Sequence, residues 1–474
     1  MEGAPAAIIE WSCGLVYHGV RRVDWISTPV RGFVGYVHTQ GRLVAQRDDM
    51  TRSTANSRAG SGDVADQERP NARAVALMAT GLWAASRMAL ALFTYATLLL
   101  HSGGSGQAAT SFPALASAWL QWDAKWYVQI AQAGYFNDQS AGFFPLYPLL
   151  VHIVGMALGG DHLAAALLVS NLGALGVFIG LALLAAHEFG SERTASYAVT
   201  MLAAYPLAFF LAAPYTEGLF IALVAFTLYG ARAGRWRVAA VCAFFAALTR
   251  PTGIILLAPL VWEYGSQHGW WANWRSVESW RVRLGAAFVP GNWRQRGGAL
   301  DALLIVSAVP LAVALYMLFL DMRFGDPLLY VHAQQRYWNH VGPGAPTTPA
   351  PAAPAGTAEP LAFLTPSYEQ ARALVDLAPL AIFLILTIIL VRRLPVMYTL
   401  YMVGLFALIL ASLRPDRLGF FVAAGRYLCA ALPIFFWLGR WSETRPWLYL
   451  LLTSAGFLLQ ATLATVFLTG GWLV

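Results

Sequence analysis

The stretch Trp122-Asp123-Ala124-Lys125-Trp126-Tyr127 sets a carboxylate beside the only lysine of the chain, among aromatic rings, just after the first long apolar run. Gly134-Tyr135 and Phe143-Phe144-Pro145-Leu146-Tyr147-Pro148 follow it. An ionisable group at a membrane surface is costly unless it is well solvated or does something, so chemistry is sought here first. Arg250, in Thr249-Arg250-Pro251-Thr252-Gly253, stands between two apolar halves and requires a partner or an anion. A lipid phosphate is an anion that suits such a place. Moving a sugar off a lipid phosphate requires a base for the proton of the acceptor hydroxyl and cations for the departing phosphate. The leaving group is already good, so no second carboxylic acid is needed. Asp123 as base, with Arg250 and Arg426 as cations, meets the requirement, and the aromatics would cradle a sugar ring.

Each residue also has a plainer reading. Asp123 would cap a helix over 124–133, since a side-chain oxygen at that position accepts from free backbone N–H groups. Trp122, Trp126, Tyr127 and Tyr135 would form an interfacial aromatic belt. Glu217 at a helix start would complement the macrodipole, or pair with Arg250 and make that arginine structural. Lys125 would simply face solvent.

The elements that must position these groups follow from composition. Of 474 residues, 58% are hydrophobic and 12% charged, whereas a soluble domain is roughly a quarter charged. This predicts an all-α polytopic membrane protein. The formal charge of +7 comes almost wholly from arginines in short loops between apolar runs. They read as topology determinants and not as a nucleic-acid stripe, so no nucleic-acid partner is expected. Cys13, Cys242 and Cys429 are scattered, which gives neither a disulfide framework nor a metal cluster. Residues 1–70 lack an apolar run long enough to span and an apolar signal core, and are expected to be a disordered cytoplasmic tail or an extension upstream of a start such as Met50.

Residues 71–474 are expected to form the transmembrane domain. A first span at 75–100 is entered from the Arg69 and Arg73 side, which makes 101–162 an extracytoplasmic loop. The apolar run 146–159 is short against the roughly twenty residues of a typical span. A crossing there would also push Arg232, Arg235 and Arg237 outward, so the positive-inside rule favours a helix lying along the interface. Further spans are expected at 163–187, 194–211, 219–230, 238–248, 253–262, 299–320, 373–391, 395–413, 418–438 and 447–468, giving about eleven crossings. The pair flanking Arg250 is alternatively one long broken helix. A second large outer loop, 321–372, contains the Pro/Ala-rich tract 342–360. This topology collects Asp123, Tyr215, Glu217, Arg250, Asp326 and the Arg414-Pro415-Asp416-Arg417 motif on the outer face.

Further motifs are Tyr215-Thr216-Glu217-Gly218-Leu219-Phe220, Phe324-Gly325-Asp326-Pro327 with Gln334 and Trp338, and Gly425-Arg426-Tyr427 with Pro433. Together with the Trp122, Phe144 and Arg250 motifs they occur in order over about 75–440, and the set resembles the PIG-V mannosyltransferase family, the GPI mannosyltransferase II type with its bacterial relatives. The resemblance implies a GT-C glycosyltransferase fold with a long first outer loop that carries two surface helices and a catalytic aspartate, which Asp123 matches. It implies a polyprenyl-phosphate sugar donor, mannose in the best-known cases, inversion at the anomeric carbon, and a glycan, glycolipid or protein acceptor, among membrane lipids. No cofactor is implied, the donor being a substrate, and no metal ligands are assigned. Substrate-binding residues would be Trp122, Lys125, Tyr127, Tyr135, Tyr215, Glu217, Arg250, Asp326, Gln334, Trp338, Arg426 and Tyr427. The site would face outward from a bacterial plasma membrane. The tail 1–70 and the tract 342–360 have no family counterpart. The alternative, a transporter or a flippase for lipid-linked sugars, should show internal repeats with matching broken helices; the sequence shows no such symmetry.

Overall fold

The computed structural model describes residues 70–101, 111–269, 296–338, 368–411 and 424–471, all within one compact unit, Gln67–Val474. The expected tail up to residue 69, the tract 342–360 and the Arg414–Arg417 motif lie outside the described residues. Helices run in the order α1 (Ala72–His101), α2 (Phe112–Ser117), α3 (Asp123–Ala133), α4 (Leu146–Ala157), α5 (His162–Phe189) and α6 (Glu192–Ala203). Next come α7 (Glu217–Arg232), α8 (Trp236–Thr249), α9 (Leu257–Gln267), α10 (Arg296–Phe324) and α11 (Leu329–Ala333). The chain closes with α12 (Tyr368–Leu390), α13 (Val396–Ala411), α14 (Ala424–Tyr427), α15 (Leu432–Thr444) and α16 (Pro446–Leu468). Among the described residues there is no strand, as the all-α expectation requires.

Among the described residues, four helices are long and apolar enough to cross a membrane: α1, α5, the 298–324 part of α10, and α16. The spans expected at 219–230, 238–248, 253–262 and 395–413 fall on the shorter helices α7, α8, α9 and α13, and that at 373–391 on α12. The span expected at 418–438 is not a single helix in its described part: α14 ends at Tyr427, a 3-10 turn Leu428–Ala430 follows, and α15 begins at Leu432. The span expected at 194–211 is interrupted, because α6 stops at Ala203 and only a 3-10 turn, Ala208–Leu211, follows. Around Arg250 the chain forms two helices and not one broken helix. Arg250 is extended (φ −151°, ψ 148°), and Gly253 packs against the backbone of Ala246 and Ala247, so the chain doubles back. The 12 residues of α4 reach about 18 Å, well short of the roughly 30 Å hydrocarbon core.

Two devices set the site. The first is a seam of small residues. A Cβ on Gly173 would lie 2.5 Å from Leu219 N, one on Gly176 2.9 Å from the Ala222 methyl, and one on Gly180 2.7 Å from the Ala225 methyl. Within lipid, association of helices depends on such close packing, and this seam drives the start of α7, with Glu217, into the core. The second is the irregular buried stretch 204–216 between α6 and α7. Backbone that is not helical at this depth must find its partners within the protein. It does: Ser170 Oγ donates to Tyr215 O, Asn171 Nδ2 to Ala212 O, and Gln460 Nε2 to Tyr205 O.

Candidate active site

Asp123 is the first residue of α3, and Trp122 occupies the N-cap position without a capping side-chain bond. The capping reading of Asp123 is therefore not what the geometry shows, since its carboxylate is placed one position too late. Instead Asp123 Oδ2 lies 3.5 Å from Arg426 Nη2, and the side chain is 38% exposed. Trp122 has φ 51°, the only positive value at a non-glycine among the described residues. A bulky side chain there is strained by about 1–3 kcal/mol and persists only where its surroundings dictate it. Here the Tyr215 hydroxyl holds the carbonyl of Gln121, and Gln121 Nε2 donates to Ala118 O. The turn thus aims Asp123 into a cavity.

Beneath Asp123 lies a buried carboxylate between two guanidinium groups. Arg250 Nη1 donates to Glu217 Oε1 at 2.6 Å and to Thr216 Oγ1 at 2.9 Å. Arg426 Nε lies 2.9 Å from the same Glu217 oxygen, but its N–H is not aimed at it, so the contact is ionic and Nε lacks a hydrogen-bond partner. The rings of Tyr215 and Tyr427 stack on the guanidiniums, with Arg426 Cζ 5.1 Å from the Tyr215 centroid and Arg250 Cζ 4.9 Å from that of Tyr427. Planar, weakly hydrated guanidinium suits such aromatic enclosure better than ammonium would. Arg426 reaches this place because the Tyr205 and Tyr401 hydroxyls hold the carbonyls of Gly425 and Ala430 on either side of it.

A cavity of about 650 Å³ opens above these groups. Of the residues expected to bind substrate, it is lined by Trp122, Lys125, Tyr127, Arg250, Gln334, Arg426 and Tyr427, together with Asp123. Glu217 and Tyr215 are buried beneath it and support the arginines. Tyr135 is not in the lining: its hydroxyl donates to Phe143 O, and its ring packs on Phe319. Asp326 lies elsewhere too, accepting from Leu328 N and paired with His332 Nδ1 at 2.6 Å. Trp338 ends a π-helical turn, Gln334–Trp338, and its side chain is outside the described residues. Thr252, Tyr330, Leu405, Leu408 and Ile409 also line the cavity and were not expected there. Tyr330 follows the Phe324–Pro327 motif and was within reach of a motif-based reading; the three apolar residues of α13 carry no local signal.

No protein-family model matches the chain. The chain is similar to human GPI alpha-1,6-mannosyltransferase 2, at 32% identity over 145 residues, which is 28% of this chain and 29% of that protein. The match thus spans under a third of the length of that curated relative. The crystal structure of the Archaeoglobus fulgidus oligosaccharyltransferase in the apo form superposes at a TM-score of 0.41 and 14% identity over 85% of this chain and 56% of that one, a likeness too loose to argue from.

Proposed function

We propose that this membrane protein is a glycosyltransferase of the GT-C kind, moving a sugar, mannose before others, from a polyprenyl phosphate to an acceptor hydroxyl. The observation that carries the reading is the meeting, in one cavity, of Asp123 and Arg426, 303 positions apart in the chain, with Arg250, Lys125 and a set of aromatic rings. Asp123 takes the proton of the acceptor hydroxyl as its oxygen attacks the anomeric carbon. The bond from that carbon to the phosphate oxygen breaks, and the lipid phosphate leaves with the electron pair toward Arg250 and Arg426. Attack opposite the leaving group inverts the anomeric centre. Fixed cations aimed at the developing charge supply the main stabilisation, and the base contributes on the order of a hundredfold or more. Partial identity to a protein named as a mannosyltransferase supports the sugar assignment.

Membranes containing the protein, given radiolabelled polyprenyl-phosphate mannose and their own acceptors, should transfer label to a glycan, glycolipid or protein. Membranes with folded protein that transfer none, while a known polyprenyl-phosphate-dependent enzyme succeeds alongside, overturn the reading. The reading also places α4 along the outer interface, with the cavity outward. Single cysteines at Gly160 and Pro214 should then be labelled from outside and one at Ala233 should not. The inverse pattern would separate Asp123 from Glu217 by the membrane and end the single-site mechanism.

A further inference from the structure

The charges around the cavity nearly cancel before any substrate enters. Among the described residues, its wall carries four charged side chains, Asp123, Lys125, Arg250 and Arg426, and Glu217 is buried beneath it. Arg250 Nη1 lies 2.6 Å from Glu217 Oε1; Arg426 lies 2.9 Å from the same oxygen through Nε and 3.5 Å from Asp123 Oδ2 through Nη2. Two guanidiniums are thus matched by two carboxylates. What remains is Lys125. It is exposed, and among the described residues no hydrogen bond or ion pair holds it. Asp123 does not claim it, because the two are two positions apart on α3 and residues so spaced do not face each other on a helix.

A substrate phosphate brings charge of its own. The donor phosphate, esterified to both sugar and polyprenol, carries one negative charge, which Lys125 offsets. Transfer then changes two charges at once. The leaving polyprenyl phosphate becomes a monoester with about −1.5 to −2 charges at pH 7, while Asp123, having taken the acceptor's proton, becomes neutral. Neutral Asp123 no longer holds Arg426, whose Nη2 turns to the charge that the phosphate has just gained. The site therefore stays close to neutral from bound donor to product, and uncompensated charge away from water is what it avoids.

We propose that Lys125 is the cation that answers the charge of the bound donor, and that the Asp123–Arg426 pair is a switch, opened by the proton Asp123 accepts, which hands Arg426 to the leaving phosphate. The proposal rests on the function proposed above. Loss of that proton from Asp123 to water closes the pair again and loosens the product.

Because Lys125 is the only lysine of the chain, an amine-directed acylating reagent reports on it and the N-terminus alone, and peptide mapping separates the two. With the purified full chain, polyprenyl phosphate should slow acylation of Lys125, and the matching polyprenol should not. In equilibrium binding with radiolabelled polyprenyl phosphate, Lys125→Met should bind about tenfold more weakly and Lys125→Arg within about threefold of wild type, as expected for an interaction with a charged group. Asp123→Asn, which imitates the protonated base, should bind about threefold more tightly although it no longer transfers, the modest factor reflecting a partly exposed pair. Adding Asp123→Asn to Lys125→Met should recover the same factor. Equal binding by wild type and Lys125→Met, equal losses in Lys125→Met and Lys125→Arg, or equal protection by polyprenol removes Lys125 from the phosphate and leaves the functional reading standing. Asp123→Asn that binds no more tightly than wild type overturns the switch. Wild type that binds no polyprenyl phosphate refutes the functional reading, and the proposal with it.

Discussion

The two ends of α7 carry two arginine–carboxylate networks of opposite character. At its C-terminal end Arg232 bonds Glu188 through Nε at 2.7 Å and Nη2 at 3.2 Å, and Glu263 through Nη1 at 2.8 Å. Tyr398 donates to Glu188, and Gln267 donates to Glu263 and to Ala231 O. One cation there serves two carboxylates, and their oxygens gain further donors. About 22 Å away along the helix, Glu217 stands alone between Arg250 and Arg426, with its Oε2 and Arg426 Nε unpartnered and a cavity directly above. The first network is closed and ties α5, α7, α9 and α13 together. The second sets two guanidiniums against one buried carboxylate, and Asp123 meets Arg426 from the cavity side at 3.5 Å. An arginine paired with a carboxylate is therefore not distinctive by itself; the two ends differ in the balance of donors and acceptors around it.

Breaking the closed network should cost the most stability and the least chemistry. Arg232→Met leaves Glu188 and Glu263 without their cation, and about 3 kcal/mol should be lost, toward the low end for a buried pair because Arg232 is 25% exposed. Denaturant titration in detergent checks this, and transfer per folded molecule should stay within about twofold; a larger fall would mean that the two ends are coupled. At the open end the expectation reverses. Asp123→Asn should keep the wild-type melting temperature and lower transfer by about a hundredfold or more, whereas a residue that only capped α3 would cost about 1 kcal/mol of stability and spare activity. Arg250→Gln lies between these cases, because the arginine both pairs with Glu217 and lines the cavity. Apparent donor KM should rise about tenfold with the acceptor KM unchanged, and equal changes in both, seen in initial rates, would make Arg250 structural like Arg232.

The smallest effect concerns a third polar cluster, at the end of α15. Burial pushes the Glu443 carboxyl up, but hydrogen bonds from Thr194, Ser191 and Arg440 outweigh it and hold the group below the usual glutamate range. A lowered carboxyl contributes stability that is complete above the ordinary glutamate range and is lost as pH falls through the depressed value. The melting temperature of wild type should therefore fall further than that of Glu443→Gln on acidification from neutral pH to about pH 3, by an amount worth about 1 kcal/mol or less. Identical acid profiles would show the cluster to be energetically silent.

The polytopic, all-helical class was legible in composition, because hydrocarbon enforces apolar runs and internal backbone bonding whatever the sequence detail. Asp123, Arg250 and Arg426 also stood out locally, since each is a charge beside apolar segments that would not otherwise carry one, and the fold brings the three to one cavity. Interruptions were harder to read. One local cue was there and went unused: Pro206, which lacks an N–H and clashes with the preceding turn, stands just beyond the end of α6 at Ala203. What no local signal gives is that the stretch after it stays buried, since it draws its partners from α5 and α16, remote in sequence. Tyr135 and Asp326 share motifs with cavity residues yet face Phe143 and His332, since spacing alone does not say which way a loop side chain turns. The Glu217 case is sharpest. Sequence placed an acid at a helix start; only the glycine seam of α5 against α7, so close that a Cβ on Gly173 would lie 2.5 Å from Leu219 N, decided that it would lie beneath two arginines and outside the cavity lining. Periodicity and polarity act within one segment and are written in it, whereas the balance of charge at the cavity is a sum over four segments, the start of α3, the start of α7, the turn after α8 and α14, that only folding brings together.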